Sequence, residues 1–212
     1  MELRDAIRRR RMVRSFSTEP LDMALVDRLL TEALSAPTAG NTRGVSWLVL
    51  AAEETRLYWE HATTPAWRAS SSRYRGLSAA PVIALSLCAP LLYLARYGEP
   101  DKAGSGLGLP TSPTSGNEGE SAWPVPYWFG DAAFATMLAL LGATEAGLAA
   151  AFLGNFRHER TLLGALAVPE QWRLFGAVVL GVRGDRDRPS PSLRRQPAPG
   201  AGVVYHSRWT AG

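Results

Sequence analysis

Residues 128–146 constrain the fold more than any other stretch, because they are apolar almost all the way round a helix. A helix of that composition is buried on most faces. It serves either as the central helix of a domain or as a subunit interface. Its longest uninterrupted run, 132–143, is too short to cross a bilayer, which needs about 20 apolar residues. The rest of the chain must therefore pack around it.

Four short apolar runs supply strands: 45–52, 79–88, 148–153 and 175–182. Residues 21–36 form an amphipathic helix. Leu25, Val26, Leu29, Leu30, Ala33 and Leu34 recur at helical spacing, and Asp22 stands as its N-cap. Helices are also expected over 53–61 and 157–166, with a helical turn over 91–97. Residues 62–75, polar and rich in Ser and Arg, show no periodicity. Residues 99–122 are dominated by Gly, Ser, Pro and Thr and read as a flexible insert, a lid or a disordered loop. Strands and helices alternate, but most of the helical mass is not in simple crossover units. The class is α+β: one sheet flanked by helices, in a single domain spanning 1–212.

Chemistry is harder to find. Cys88 is the single cysteine and sits in an apolar run, which excludes a disulfide framework. His61, His158 and His206 lack metal-ligand spacing, and no metal is expected. Gly104, Gly106 and Gly108 suggest a nucleotide loop, but no strand precedes them and Pro110 follows where a helix should start. Asp131 and Glu145 are about four helical turns apart, too far for an acid/base pair. Asp131 reads as a helix-terminal charge. With no convincing acid, base or nucleophile, any reaction needs a cofactor to supply the reactive atom. The N-terminus shows no secretory apolar region, so the default is a soluble cytoplasmic protein with no membrane contact.

One cluster does point to a ligand. Arg8, Arg9, Arg10, Arg11 and Arg14 fall within seven residues, and Phe16 closes the run. Guanidinium groups match phosphate well, so the cluster could hold the phosphate and ring edge of a flavin. A solvated basic run or a nucleic-acid patch is the commoner meaning of such a cluster taken alone. The pI near 9.6 permits an anionic ligand. The 19 acidic residues interspersed along the chain, and a net charge of only +4, argue against nucleic acid.

The sequence 10–16, Arg-Arg-Met-Val-Arg-Ser-Phe, followed by Pro20, resembles the N-terminal signature of the FMN-dependent nitroreductase family, Arg-Arg-Ser-Val/Ile-Arg-x-Phe. Residues 36–44 resemble that family's Ala-Pro-Ser-x-x-Asn-x-Gln-Pro loop. Ala80-Pro81-Val82, Gly147-Leu148 leading to Leu153-Gly154, and Val179-Leu180-Gly181 resemble its later strands. The tail, with Arg194-Arg195, resembles an actinobacterial-type subgroup. The likeness covers most of the chain apart from roughly 54–75 and 99–122.

This resemblance implies an α+β fold with a central mixed sheet. It implies a homodimer with interlocked tails, FMN at the subunit interface and NADH or NADPH as electron donor. Carried over by position, Arg10, Arg11, Met12 and Arg14 would contact FMN. Arg194 or Arg195 would clamp its phosphate. Pro37, Thr38, Ala39 and Asn41 would reach it from the other subunit. Phe152, Leu153 and Gly154 would lie along the isoalloxazine, with a backbone N–H near N5. The implied chemistry is hydride transfer to flavin N5 and on to a nitroaromatic, quinone or similar conjugated acceptor.

Three departures stand out. Met12 replaces a Ser, Arg43-Gly44 replaces Gln-Pro, and the 99–122 segment is added. They keep an alternative open: a flavin carrier or sensor, or a specialised relative such as an azoline dehydrogenase, a dehalogenase or a flavin-modifying enzyme.

Overall fold

The structure is a computed structural model describing residues 1–108, 123–154, 157–196, 198, 201–202 and 204–207. Its sheet has four strands: β1 (Val45–Ala51), β2 (Val82–Cys88), β3 (Ala149–Gly154) and β4 (Arg173–Gly181). They lie in the order β1-β2-β4-β3, and every neighbouring pair is antiparallel. The sheet is thus antiparallel rather than mixed; one isolated parallel bridge outside its strands, Met12 to Ala150, lays the arginine run along the free edge of β3.

The helices are α1 (Leu3–Arg9), α2 (Met23–Ala33), α3 (Thr55–Ala62), α4 (Pro65–Ser70), α5 (Tyr74–Leu77), α6 (Pro90–Tyr97), α7 (Tyr127–Glu145) and α8 (Glu159–Ala165). Strand alternation sorts the core into two layers. Ile83, Leu85 and Leu87 of β2 face Tyr58 and Trp59 of α3 and Leu162 and Leu163 of α8. Val82 and Ala84 face the other way, onto Val26, Leu29 and Leu30 of α2 and Ala139, Leu140 and Ala143 of α7. Both faces of β2 are therefore covered, which is why its seven residues are all buried and why the segment reads as a continuous apolar run rather than an alternating one. Asp22 caps α2 as expected, its carboxylate accepting from the Ala24 N–H at 2.9 Å.

α7 meets only half of the sequence expectation. Ala132, Ala135, Ala139 and Ala143 pack inward, and alanine there lets the helix approach the sheet closely. Phe134, Met137 and Leu138, on the opposite face, are 53%, 47% and 40% exposed. Leu3 and Ile7 of the neighbouring α1 are also exposed. The helix is central on one side and leaves an apolar stripe on the other.

Residues 62–75, which carry no sequence periodicity, hold the six-residue α4 and the start of the four-residue α5. Such elements are too short to show a period. Within the 99–122 segment, residues 99–108 are folded against α6, and Trp123 donates its indole N–H to the Leu107 carbonyl at 2.9 Å. Residues 109–122, Val203 and Trp209 lie outside the described residues.

Candidate functional site

The arginine run is extended and pinned from both sides. The Val13 N–H donates to the Ala150 carbonyl at 2.9 Å, and the Phe152 N–H donates to the Met12 sulfur at 3.3 Å. Further on, the Phe16 N–H bonds the Gly76 carbonyl at 3.0 Å, the Ser17 N–H bonds Val182, and the Gly184 N–H returns to Ser15 at 2.8 Å. Gly76 is required at this crossing, since a Cβ there would lie 2.5 Å from the Arg14 carbonyl oxygen. In an extended segment, alternate residues share a face. Around the Met12 bridge this puts Arg10, Met12 and Arg14 on one side and the buried Val13 on the other; Phe16, three residues after Val13, is buried as well, so the alternation does not run through it.

The arginines are not equivalent. Arg8, Arg9 and Arg11 are exposed. Arg11 turns back on its own backbone, donating to the carbonyls of Arg8 and Arg10. Arg14 is half-buried and donates to the Met12 carbonyl at 3.1 Å. Arg10 differs from them all: its Nη1 is buried and has no hydrogen-bond partner among the described residues. A buried guanidinium nitrogen without an acceptor is costly, so Arg10 is the arginine of the run with an unmet demand for an acceptor.

A cavity of about 820 Å³ opens beside Arg14. One wall is 14–17, the second runs from Ser71 to Gly76, and the third is 184–191. Arg14, Arg73, Arg75, Arg186 and Arg188 line it against Asp185 and Asp187, leaving its rim net basic. Asp187 locks the third wall to the first. Its side chain is only 6% exposed. It accepts the Arg14 N–H at 2.9 Å and the Arg183 guanidinium at 2.9 and 3.0 Å. Sequence reasoning missed Ser72, Arg73, Arg75 and Asp187. The first three lie where no periodicity is visible, and Asp187 lies in a tail that reads as irregular.

Phe152, Leu153 and Gly154 end β3 beside the run. The Phe152 ring lies over Gly176, where a Cβ would come within 2.5 Å of it, and stacks on Phe175 at 5.2 Å between centroids. The Phe152 amide, one of those expected to face a ligand, is taken by Met12. Because strand amides alternate in direction, the Gly154 N–H points to the same edge, beyond the reach of Met12. Arg194 and Arg195 close a short 3-10 turn, Pro191–Arg194, and are exposed. They follow the cavity's third wall in sequence but do not line the cavity.

The loop carrying Pro37, Thr38, Ala39 and Asn41 lies elsewhere in the same chain. No hydrogen bond or ion pair among the described residues joins it to the arginine run. Its anchor is Asp131, which sequence reasoning treated as a helix-terminal charge. Asp131 is 2% exposed. Its Oδ2 accepts both the Ala39 N–H and the Tyr93 hydroxyl, each at 2.8 Å. Burial pushes the Asp131 carboxyl above its ordinary range, an effect the two hydrogen bonds oppose. Burial, aided by the bond to Asp131, likewise raises the Tyr93 phenol. The partners lie 38 and 92 residues apart in sequence, and no local pattern could have shown them.

The model of the Nitroreductase family matches residues 7–182. The chain belongs to the nitroreductase family. No curated protein matches the sequence. Solved structures agree in fold. Nitroreductase CinD from Lactococcus lactis in complex with nicotinic acid is 17% identical over 93% of this chain and 100% of that one, with a TM-score of 0.68. Bacillus megaterium NfrA2 is 20% identical over 99% and 76%, with a TM-score of 0.67. A nitroreductase family protein from Clostridium novyi NT is 20% identical over 87% of both chains, with a TM-score of 0.62.

Two departures of this nitroreductase-family chain have physical explanations. Gly44 stands under the Tyr93 ring, where a Cβ would fall 2.4 Å from Tyr93 Cε2. A proline cannot occupy that position while Tyr93 holds Asp131. Met12 exchanges a hydroxyl for a weak sulfur acceptor that fastens the run to β3.

Proposed function

We propose that the protein is an FMN-dependent oxidoreductase that takes electrons from NADH or NADPH and passes them to a nitroaromatic, quinone or similar conjugated acceptor. The observation that carries this reading is the buried, unpartnered Arg10 Nη1 on a pinned run beside the end of β3. Arg10 would hold the phosphate, and Arg194 or Arg195 would add charge from the tail. Arg14, with Arg75 across the cavity, would face the electron-rich pyrimidine edge. Phe152, Leu153 and Gly154 would lie along the ring, with the Gly154 N–H toward it. When bound, FMN supplies a two-electron donor and acceptor that no side chain here can replace. The protein's own part is to bind, orient and shield it.

In this reading the Pro37–Asn41 loop comes from a second copy of the chain, because one chain does not bring it to the arginine run. The exposed stripe of Phe134, Met137 and Leu138 with Leu3 and Ile7 supports a homodimer, since apolar patches of this kind mark association surfaces. An aromatic nitro acceptor is supported by the L. lactis relative, which has been solved with 4-nitrophenol and with chloramphenicol.

FMN titration of the purified protein tests the reading. Arg10→Ala should weaken binding about tenfold or more, since a charge-assisted contact is worth roughly 1.5–3 kcal/mol. Unchanged FMN affinity in Arg10→Ala would remove the phosphate role. Capture of the Phe152 N–H by Met12 favours one alternative, a flavin carrier with slow turnover. Bleaching of bound FMN by NAD(P)H faster than that of free flavin would exclude it.

A further inference from the structure

The loop after α2 does not hold its shape unaided. Gly40, Asn41 and Arg43 all have positive φ, at 63°, 55° and 55°. For residues with a side chain, that region is strained and persists only where the surroundings impose it. The loop's internal hydrogen bonds are local: Asn41 N–H to the Thr38 carbonyl, Thr42 N–H to Ala39, and Arg43 N–H to Thr38 Oγ1.

Two tethers reach it from outside. The first comes from the core. Asp131 Oδ2 takes the Ala39 N–H, and the same oxygen is steadied by the Tyr93 hydroxyl. Tyr93 is fully buried, with edge-on contacts to Trp123 and Trp128. The second comes from α6, where Arg96 Nε donates to the Gly40 carbonyl at 2.9 Å. Arg96 is itself gripped by Asp101 through two bonds of 2.7 Å and by Glu99 at 3.0 Å. Those two acidic residues open the 99–122 segment.

A buried carboxylate is a poor way to gain stability, because well-packed apolar residues usually do as well or better. What this one provides is an aimed acceptor for one loop amide. We infer that Asp131 is a positioning residue for the Thr38–Asn41 loop. Tyr93 fixes its carboxylate, and Arg96 is a second tether that ties the loop to the start of the 99–122 segment. Together they hold the loop in the one conformation that meets the flavin of the partner subunit. The inference rests on the proposed FMN site and deepens it. Neither Asp131 nor Arg96 needs to touch the cofactor.

The test compares the holoprotein with Asp131→Ala, Asp131→Asn and Arg96→Ala. It reads FMN Kd, the visible circular dichroism of the bound flavin, and thermal stability. Both donors converge on one oxygen, which a carboxamide oxygen can reproduce. Asp131→Asn should therefore keep Kd within about threefold of wild type. Asp131→Ala should raise it about tenfold or more and alter the dichroism. Arg96→Ala should give a smaller rise with a similar spectral change.

Asp131→Ala that melts earlier yet keeps wild-type Kd and dichroism would show a merely structural role and overturn the inference. Asp131→Asn as damaging as Asp131→Ala would also overturn it, by showing that charge rather than the aimed bond matters. If Asp131→Ala does not fold, Arg96→Ala decides alone: unchanged Kd and dichroism there reject the tether. A wild-type protein that takes up no FMN defeats the functional reading and this inference with it, an outcome distinct from the others.

Discussion

Replacing Asp187 should separate the cavity's third wall from its first. In Asp187→Ala the Arg14 N–H loses a charged acceptor at 2.9 Å in a half-buried position. A hydrogen bond to a charged group is worth roughly 1.5–3 kcal/mol. The Arg183 pair adds less than about 1 kcal/mol, because the Arg183 side chain is 59% exposed. The total is about 2–3 kcal/mol. For a chain of this size each kcal/mol moves Tm by roughly 2–4 °C, so Tm should fall by about 5–10 °C. Asp187→Asn keeps one oxygen to accept from the Arg14 N–H and gives up only the charge and the exposed Arg183 pair, and should lower Tm by less than half as much. Thermal unfolding of the three proteins, followed by circular dichroism, is the assay. An alanine variant within about 1 °C of wild type, or an asparagine variant as damaged as alanine, would refute the claim that this carboxylate pins 184–191 to the arginine run.

Gly44→Ala should destabilise by about 1–3 kcal/mol through overpacking against Tyr93; in a Tyr93→Ala background the same substitution should be close to neutral, and an unchanged cost in the double-mutant cycle would place the clash elsewhere. Burial disfavours ionisation of Glu159, but the Arg173 guanidinium at 2.8 Å and the Leu174 N–H at 2.9 Å outweigh it and hold the carboxyl below its ordinary range. A folded-state pKa below the unfolded one adds stability above the unfolded value of 4.5 and loses it as pH falls through the folded value. Glu159→Gln should therefore lag wild type most near neutral pH, with the gap closing as pH falls below 4.5 and through the folded value; a gap that is flat with pH, measured by denaturant titration, would contradict this.

How much of this was legible in the sequence depended on how local each cause was. The strands and long helices announced themselves through apolar runs and period, and Asp22 through its place before Leu25 and Val26. The arginine run was visible as a cluster, but not which arginine mattered. That ranking needed the three-dimensional course of the run, which buries Nη1 of Arg10 and turns Arg11 back on itself. Asp131 was seen and misassigned because its partners, Tyr93 and Ala39, are far away in sequence. Gly44 departs from the family loop for a reason that lies 49 residues away, in the Tyr93 ring that fills the space above it. Ser72 and Arg73 sit in the turn between two helices shorter than two turns, and Arg75 in the second of them, so no period marks any of the three.

The central claim is that the arginine run is one wall of a flavin site. The most direct measurement is the absorbance spectrum of the purified protein supplied with FMN, before and after anaerobic addition of NADH or NADPH. The account predicts flavin bands that survive desalting and bleach on addition of the nicotinamide donor. A colourless protein that retains no FMN would contradict it.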